Sequence, residues 1–416
     1  MRHLTKTRLL GVVIAVSALA VATACGSSSG ATVNSTGSSG SSTITIGGAG
    51  PIQSSVLSQP ERLAAEQAAI STINAAGGVN GHKLKLDWCD TQNTANGEFT
   101  CMRQLAGENV AAIVDPGLIV DQSGRGLKFA TAAGVPIIGG QGLTPIEFST
   151  VGSFPMSSGI PGWSYGQVVS LIKAGSKKIA LWGTNDPGSQ YILSFTQQAL
   201  KSAGITPVRY VQTDPNADPT FAEGAAEVIA GGIDGVIFDS SPTYGDKAIQ
   251  ALRSAGYTGP VASITGVYTP QMTQALGAQA NNLYLTSQVA LSTDASNPGV
   301  SAFLAAMKKY QPSAPVDETA MTAWSAVQLF AQVAKTISGG VTSKSVMTAM
   351  NDISSPIDLR TAGPYKVKGT VSPVSGYPRI YNQTIVIGVV KNGVLEPFGQ
   401  GFVDPFTALS SAHSGS

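Results

Sequence analysis

The sequence predicts an α/β protein with two doubly wound parallel sheets, and three observations support this fold class. Short apolar or β-branched segments alternate with amphipathic segments of about 10–15 residues, which is the pattern of βαβ units. The pattern occurs twice, before and after Pro161. The ordered part, residues 43–406 of 416, is too long for one hydrophobic core. A single closed barrel is the alternative topology.

The first elements of the chain have clear local signals. Residues 43–46 are all β-branched and predict a buried strand that ends in the glycine-rich run 47–51. Pro60 is a favoured first-turn residue, so a helix is expected to begin there. Gly77-Gly78 provides the left-handed conformation that ends many helices. Further strands are predicted at 83–88, 110–114, 135–138, 178–182, 207–212, 235–238 and 260–264, and further helices at 98–109 and 122–133.

The first 25 residues have the features of a bacterial secretion signal. A cationic stretch with three basic residues precedes an apolar run, 9–21, which is shorter than the ~20 residues of a membrane span. Small residues then lead to Cys25, and this junction resembles the lipobox of bacterial lipoproteins, in which the cysteine is lipidated. An ordinary signal peptide with an incidental cysteine is the alternative. We assign 1–24 to a signal peptide and 25–42 to the lipidated cysteine with a Gly/Ser tether.

The charge of the mature chain argues against a nucleic-acid partner. Removing residues 1–24 leaves 22 basic and 24 acidic residues, a net charge of −2. Only 12% of the full chain is charged, whereas nucleic-acid binding needs a basic stripe or patch. No later segment is long and apolar enough to cross a membrane.

The three cysteines separate into one lipid site and one pair. With Cys25 assigned to lipidation, Cys89 and Cys101 form an even pair in an oxidising compartment, where disulfides persist. A bridge between them closes a loop of about 13 residues and contributes roughly 3 kcal/mol to stability. A metal-binding pair is the alternative, but His82 is the only histidine in the folded region, so no metal site is expected.

Six segments of the chain together carry a resemblance to a known family. The strongest is the helix end and strand at 73–86, Ile-Asn-Ala-Ala-Gly-Gly-Val-Asn-Gly-His-Lys-Leu-Lys-Leu. The others are 43–51, 134–138, 178–182, 233–236 and 324–327. In this order and spacing the segments resemble the Leu/Ile/Val-binding-protein-like family, the type I periplasmic binding proteins, over nearly all of residues 43–400.

The resemblance implies two Rossmann-like lobes joined by three hinge strands, with the ligand bound between the lobes. The hinges are expected near 154–158, 286–289 and 356–361. The first lobe is expected to comprise 43–154 plus 290–355, the second lobe 159–285 plus 362–406, and 407–416 is expected to be a disordered tail.

The candidate ligand-binding residues lie mainly in loops that follow the predicted strands. Ligands of open α/β sheets bind beyond the carboxyl ends of the parallel strands, where backbone N–H groups are exposed. This rule and the resemblance select the same six loops: 50–54, 115–121, 139–144, 184–191, 239–244 and 263–268. We expect the ligand to contact Gln53, Leu118, Ile119, Gly140, Gln141, Gly142, Trp163, Tyr165, Tyr191, Asp239, Ser241, Thr265 and Tyr268.

The polar residues of these loops depart from the amino-acid-binding pattern of the family. The resemblance implies hydroxyls and amides for a ligand carboxylate after the fourth strand, and an acid on the second lobe for its ammonium group. Residues 115–121 contain no Ser or Thr pair, and residues 263–266 contain no acid. Asp239 is either an ammonium partner or a turn former. These departures argue against an α-amino acid as the ligand.

Three aromatic residues give the other indication of the ligand. Tyr191 matches a tyrosine that often covers the ligand in this family. Trp163 and Tyr165 follow the first hinge, where they either pack within the lobe or face the cleft. If they face the cleft, an aromatic, amide-like or otherwise flat and apolar ligand is indicated.

The resemblance implies a solute-binding lipoprotein that delivers a small organic molecule to an ABC importer, whose permease and ATPase are separate chains. The protein is expected to be a monomer without cofactors, anchored by its lipid to the outer face of the bacterial cell membrane. An enzyme is not expected, because a catalytic triad needs a histidine beside its nucleophile and only His82 is available. The alternative is a ligand-sensing module of a membrane signalling system.

Overall fold

The computed structural model describes residues 43–399 and 401–414 of the chain. The predicted signal peptide, the lipidated Cys25 and the tether lie outside the described residues. Within the described part, no helix has the length and apolar character needed to cross a membrane.

The first sheet is parallel throughout. Its strands are β1 (Ile44–Gly50), β2 (Leu84–Asp90), β3 (Ile113–Val114), β4 (Ile137–Ile138) and β5 (Ser153–Phe154). They are arranged in the order β2-β1-β3-β4-β5, with Ile46 opposite Leu86 and Gly47 opposite Ile113. The order reverses between β1 and β3, so the sheet is doubly wound and has a crevice at the carboxyl ends of these two strands.

The second sheet contains the later strands. They are β6 (Ile179–Thr184), β7 (Arg209–Thr213), β8 (Gly235–Asp239), β9 (Val261–Ile264), β10 (Leu283–Ser287), β11 (Val386–Lys391) and β12 (Val394–Pro397). Their order is β12-β11-β10-β9-β8-β6-β7, parallel from β7 to β10 and antiparallel for β11 and β12. The order reverses at β6, which gives this sheet a second crevice at its strand ends.

Helices cover the faces of both sheets. In the described residues they are α1 (Pro60–Ala75), α2 (Ala95–Gly107), α3 (Arg125–Ala132), α4 (Pro145–Ser149), α5 (Gly159–Lys173), α6 (Pro187–Ser202), α7 (Ala222–Ile229), α8 (Gly245–Ser254), α9 (Pro270–Leu276), α10 (Pro298–Tyr310), α11 (Glu318–Lys335), α12 (Ser343–Asn351) and α13 (Pro405–Ser414). Helices α1, α10 and α11 share a core with β1 and β2, and α2 and α3 share another with β3 and β4. The chain therefore returns to the first sheet after it has built most of the second.

Strand β1 continues through the glycines where the sequence predicted its end. Gly48 and Gly50 pair in register with β2. A Cβ atom at Gly48 would lie 2.3 Å from Glu66 Oε2 and 2.7 Å from Trp88 Cε3. At Gly50 it would lie 2.9 Å from Arg62 Cδ. The glycines therefore allow large side chains to approach the strand closely, and they do not form a turn.

The predicted disulfide is confirmed. Cys89 in β2 is bonded to Cys101 in α2, with a Cα–Cα distance of 5.4 Å. The bridge ties the edge strand of the first sheet to the helix that follows it.

The C-terminal segment is helical where the sequence predicted disorder from residue 407. Asp404 Oδ1 accepts a hydrogen bond from the backbone N–H of Phe406, at 2.9 Å, near the start of α13. The ring of Phe406 packs 4.8 Å from the ring of Tyr165, and Leu409 is buried beside α5 and α6. Buried side chains hold this helix against the second lobe, which the polar composition of the tail does not indicate.

The hinges expected near 154–158, 286–289 and 356–361 stay a prediction. Residues 154–158 lead from β5 to α5, and residues 286–289 contain the end of β10. Near the third expected hinge, Leu359 and Ala362 belong to the core of α1, α10 and α11, and the backbone N–H of Ala290 donates to Thr361 O at 2.8 Å. Tyr365 and Val367 also belong to this core. The chain therefore stays with the first lobe beyond residue 361.

Candidate ligand cavity between the lobes

A cavity of about 570 Å³ lies between the strand ends of the two sheets. The first lobe contributes residues after β1, β3 and β4 and from the start of α11, and the second lobe contributes residues after β8, β9 and β10. The lining residues are Leu57, Ser58, Gln59, Glu61, Ile119, Gln141, Leu143, Trp163, Ile192, Ser240, Pro242, Ile264, Gly266, Val267, Thr269, Gln271, Gln288, Pro315, Asp317, Glu318, Thr319 and Thr322. Its volume suits a small organic molecule, since such sites measure about 300–1,000 Å³.

A second depression, of about 700 Å³, lies on the surface between the end of α11 and α12. It is lined by one lobe alone and lies away from the strand ends where ligands of α/β sheets bind. We therefore take the cavity between the lobes as the candidate site.

Much of the cavity wall is apolar. Leu57, Ile119, Leu143, Trp163, Ile192, Pro242, Ile264, Val267 and Pro315 all line it. Trp163 is 8% exposed, and its indole interacts with the Glu318 carboxyl group, which partly offsets the effect of burial on the pKa of that acid. This wall offers contact area to an apolar ligand.

Three carboxyl groups also line the cavity. Glu61 is 7% exposed, and burial together with the nearby charge of Asp317 raises its pKa to about 7. Asp317 caps α11 by accepting from the backbone N–H of Ala320 at 3.0 Å. Glu318 accepts from the backbone N–H of Gln288 at 2.7 Å and from the Thr265 hydroxyl. Burial raises the pKa of both Asp317 and Glu318. Among the described residues that line the cavity, none is Lys, Arg or His.

Three amide side chains form a chain across the cavity wall. Gln141 Nε2 donates to Gln59 Oε1 at 3.4 Å, and Gln288 Nε2 donates to the backbone oxygen of Gln141 at 3.4 Å. Gln59 and Gln141 belong to the first lobe, whereas Gln288 follows the last parallel strand of the second sheet. The chain of amides therefore connects the two lobes beside the cavity.

An ion pair lies beneath this wall, outside the set of lining residues. The side chains of Arg62 and Asp115 are fully buried. Arg62 Nη1 donates to the Asp115 carboxylate and, at 3.0 Å, to the Asp115 backbone oxygen. Arg62 Nη2 donates to Gln59 Oε1 at 3.2 Å. Glu66 lies beside the pair, and burial raises its pKa well above the usual range.

The backbone donors after β3 and β4 already have carboxylate acceptors. Glu98, in α2, accepts from the N–H groups of Ile119, Val120 and Asp121 at 2.6–2.8 Å. Glu147, in α4, accepts from three further N–H groups, those of residues 142, 143 and 144, at 2.9–3.0 Å. Both acids are buried, so each loop is held in place by an acid of its own lobe.

The structure brings a few of the predicted ligand-binding residues to the cavity. Ile119, Gln141 and Trp163 line it directly. Thr265 contributes indirectly, because its hydroxyl donates to the Glu318 carboxylate. Gly142 also acts through another residue, since its N–H donates to Glu147.

The remaining predicted residues are not among those that line the cavity, and each has a structural partner. Gly140 N–H donates to Asp115, Gln53 N–H donates to Asp90, Leu118 packs in the core of α2 and α3, and the Ser241 hydroxyl accepts from Thr243 N–H. Asp239 accepts from Gln167 and Thr196, Tyr191 bonds to Tyr377, Tyr165 packs on Phe406, and Tyr268 is fully buried in the core. Burial raises the pKa of Asp239 to about 6, which is consistent with its enclosed position.

Three acidic residues of the cavity were missed by the sequence analysis. Glu61 is the second residue of α1. Asp317 caps α11, and Glu318 is the first residue of that helix. Acidic residues are common at these positions because the positive end of the helix dipole stabilises their negative charge. Their sequence signal is therefore that of helix starts, and only the approach of the two helices to one cavity indicates a site.

Two doubly wound α/β lobes with a cavity between their strand ends define a two-lobed ligand-binding protein. A family model described as periplasmic binding protein matches residues 43–371. The chain belongs to this periplasmic binding protein family. The type I fold predicted from the sequence is confirmed by similar solved structures.

Individual proteins that match this chain share only a small part of its sequence. An amino acid binding protein of Pseudomonas aeruginosa is 26% identical over 243 residues, which is 56% of this chain and 63% of that relative. An extracellular ligand-binding receptor from Verminephrobacter eiseniae has a TM-score of 0.71 at 20% identity, covering 85% of this chain and 99% of its own. The branched-chain amino acid transporter substrate-binding protein LivJ from Streptococcus pneumoniae, solved with isoleucine, has a TM-score of 0.68 at 20% identity, covering 87% and 100%. Because the solved structures are only 20% identical to this chain, they show its fold and nothing more specific.

Proposed function

We propose that this protein is an extracytoplasmic solute receptor that captures a small organic molecule between its lobes and delivers it to the permease of an ABC importer. The observation that carries the proposal is the cavity lining, which comes from strand-end loops of both lobes. A ligand that contacts both lobes favours their closure, because it binds the closed form more tightly than the open form. The family membership supports this function.

The cavity wall supports a ligand with an aromatic or otherwise apolar body and with groups that hydrogen bond to amides. Trp163 offers a flat apolar surface, and Gln59, Gln141 and Gln288 offer amide groups to hydrogen bond. Of the residues predicted from the sequence, we retain Ile119, Gln141 and Trp163 as ligand contacts.

A thermal-shift screen of the chain from Gly26 onward tests the proposed function. The panel consists of amino acids, amides, amines, sugars and aromatic acids. A ligand at ~100 times its Kd stabilises the protein by roughly 2.7 kcal/mol, which gives a readily measured shift. One coherent chemical class of ligands supports a receptor, whereas a folded protein with no shift across the panel contradicts it.

Trp163→Leu is expected to weaken binding of any ligand found in this screen by at least tenfold, or about 1.4 kcal/mol. The substitution removes an aromatic surface from the wall and keeps an apolar side chain there. Isothermal titration calorimetry measures the change. Tyr210→Leu is the matched control, because Tyr210 lies on β7 with 41% of its surface exposed and does not line the cavity. If the two variants bound the ligand equally tightly, Trp163 would not be a ligand contact.

Cys25→Ala is expected to release the protein from the membrane. Anchoring is proposed from the lipobox-like sequence, since a lipid on Cys25 would hold the protein at the outer face of the cell membrane. Cell fractionation with an immunoblot checks this result. If the variant stayed in the membrane fraction as firmly as the wild type, the lipid anchor would be wrong.

A further inference from the structure

We infer that the ligand carries a protonated nitrogen beside an apolar body and has no free carboxylate. This inference rests on the proposed function, because it specifies the ligand class of the same cavity. It is supported by the acidic groups of the lining, by the Glu61 carboxyl group, which no other described residue hydrogen bonds, and by the occupied backbone donors at the described strand ends of the first lobe.

Every ionisable side chain among the described lining residues is acidic. Glu61, Asp317 and Glu318 contribute three carboxyl groups, and no basic residue is found among the described lining residues. Charges interact more strongly in a partly dry cavity than in water. A carboxylate ligand is therefore repelled there, whereas an ammonium or amidinium group is attracted.

Glu61 is the acid whose carboxyl group accepts a hydrogen bond only from its own backbone N–H. Asp317 and Glu318 each accept backbone hydrogen bonds from the protein. The Glu61 carboxyl has no hydrogen-bond partner from another residue in the described part of the chain, although it is 7% exposed and lines the cavity. A buried carboxylate without a partner is unfavourable, and a cationic ligand group would compensate it.

The neighbouring arginine does not provide a carboxylate site. Arg62 is fully buried, lies outside the lining, and uses its guanidinium group for Asp115 and Gln59. A ligand carboxylate could reach this charge only by displacing the buried ion pair. Breaking such a pair is strongly unfavourable.

Seven backbone N–H groups at the first-lobe strand ends are also occupied. Glu98 accepts the three donors of residues 119–121, and Glu147 accepts the three donors of residues 142–144. In addition, the N–H of Gly140 donates to Asp115. A ligand carboxylate therefore finds neither a free backbone cluster nor a free cation here. The hydroxyls in the lining, such as Thr319 and Thr322, remain available to neutral polar groups.

Trp163 provides a second attraction for a cation. Trp163 is one of the lining residues of the cavity. A cation over the face of a tryptophan ring is attracted by it, and tryptophan is the most favourable aromatic residue for this contact. The apolar wall around it accommodates the rest of the molecule.

Six probes of similar size and different charge test the inference. They are 2-phenylethylamine, 3-phenylpropionate, phenylalanine and phenylacetamide, together with the branched aliphatic pair 3-methylbutylamine and 4-methylpentanoate. Calorimetry at pH 8 with the chain from Gly26 onward is expected to show at least one amine binding tenfold or more tightly than its carboxylate partner. The zwitterion and the amide are expected to bind more weakly than that amine.

Glu61→Gln separates a specific charge contact from general attraction. This variant keeps the side-chain shape and is expected to weaken amine binding at least tenfold, while phenylacetamide binding changes less than threefold. Glu223→Gln is the matched control, since Glu223 is an exposed acid in the first turn of α7 and does not line the cavity. Its amine affinity should equal that of the wild type.

Two results overturn the inference. Binding of a carboxylate or of phenylalanine as tight as that of the amines would refute it and leave solute capture intact. An amine affinity unchanged in Glu61→Gln would also refute it. If no probe and no compound of the wider panel bound, the proposed function would fail together with the inference.

Discussion

Replacing Arg62 with Met is expected to lower the free energy of unfolding by about 3–5 kcal/mol. The side chains of Arg62 and Asp115 are both fully buried, and the guanidinium group provides three hydrogen bonds, to the Asp115 carboxylate, the Asp115 backbone oxygen and Gln59. Methionine fills similar space but leaves the Asp115 carboxylate without a cation. Glu66 lies beside it and supplies no positive charge, because it is another acid, whose pKa is raised in part by Asp115. Denaturant titration measures the loss.

Two variants control this experiment. Arg125→Met removes a partly exposed Arg–Asp pair from the same lobe, and it is expected to cost less than about 1 kcal/mol. The double variant Arg62→Met/Asp115→Asn should recover part of the lost stability, because it removes the unpaired charge. Asparagine also tolerates the positive φ of 38° at this position. A loss for Arg62→Met no greater than that for Arg125→Met would show that the buried pair does not stabilise the fold.

Glu61 is expected to make the ligand-free protein less stable as the pH rises from about 5 to 8. Burial and the charge of Asp317 raise the pKa of Glu61 from 4.5 to about 7, while Arg62 lowers it. The folded state therefore binds the proton more tightly than the unfolded state. Stability falls with pH wherever the folded state binds more protons, so the loss occurs between the unfolded pKa and the folded pKa. A shift of this size corresponds to a loss on the order of 3 kcal/mol.

Comparison with Glu61→Gln isolates this effect from that of other buried acids. Asp239, whose pKa burial raises to about 6, contributes a similar trend in both proteins, so it cancels in the difference. We expect the variant to have nearly the wild-type stability at pH 5 and a higher stability at pH 8, as measured by urea titration. A difference that does not change with pH would mean that Glu61 keeps its ordinary pKa. A cationic ligand should in turn gain affinity over this pH range, because the carboxylate forms as the pH rises.

The elements of this fold were largely predictable because their signals are local. Pro60 at the start of α1, Gly77-Gly78 at its end and the β-branched residues of β1 lie where propensity alone places them. The Cys89–Cys101 bridge was predicted from the oxidising compartment and from the even number of cysteines that remain once Cys25 is assigned to lipidation. The glycines of β1 were misread as a turn, since the same residues also permit close packing. Their neighbours, Glu66 and Trp88, could not be identified from the sequence.

The candidate site was predicted by location and only in part by residue. Four of the six loops selected by the strand-end rule contribute residues to the cavity, and of the predicted residues Ile119, Gln141 and Trp163 line it. Asp239 and Tyr268 belong to the same loops but face the core, because a loop position does not determine the direction of a side chain. Glu61 and Glu318 were missed, since acidic residues at helix starts have a local explanation that needs no ligand.

The sequence by itself determined the α/β class, the two lobes, the disulfide and the loops that meet at the strand ends, because each depends on local pattern or on chain order. The tertiary structure decided which side chains face the cavity and which charges remain unpaired there. It paired Arg62 with Asp115, 53 residues apart, and brought Glu61 of α1 beside Asp317 of α11. Charge balance in a cavity depends on such long-range contacts, and a sequence pattern does not contain them.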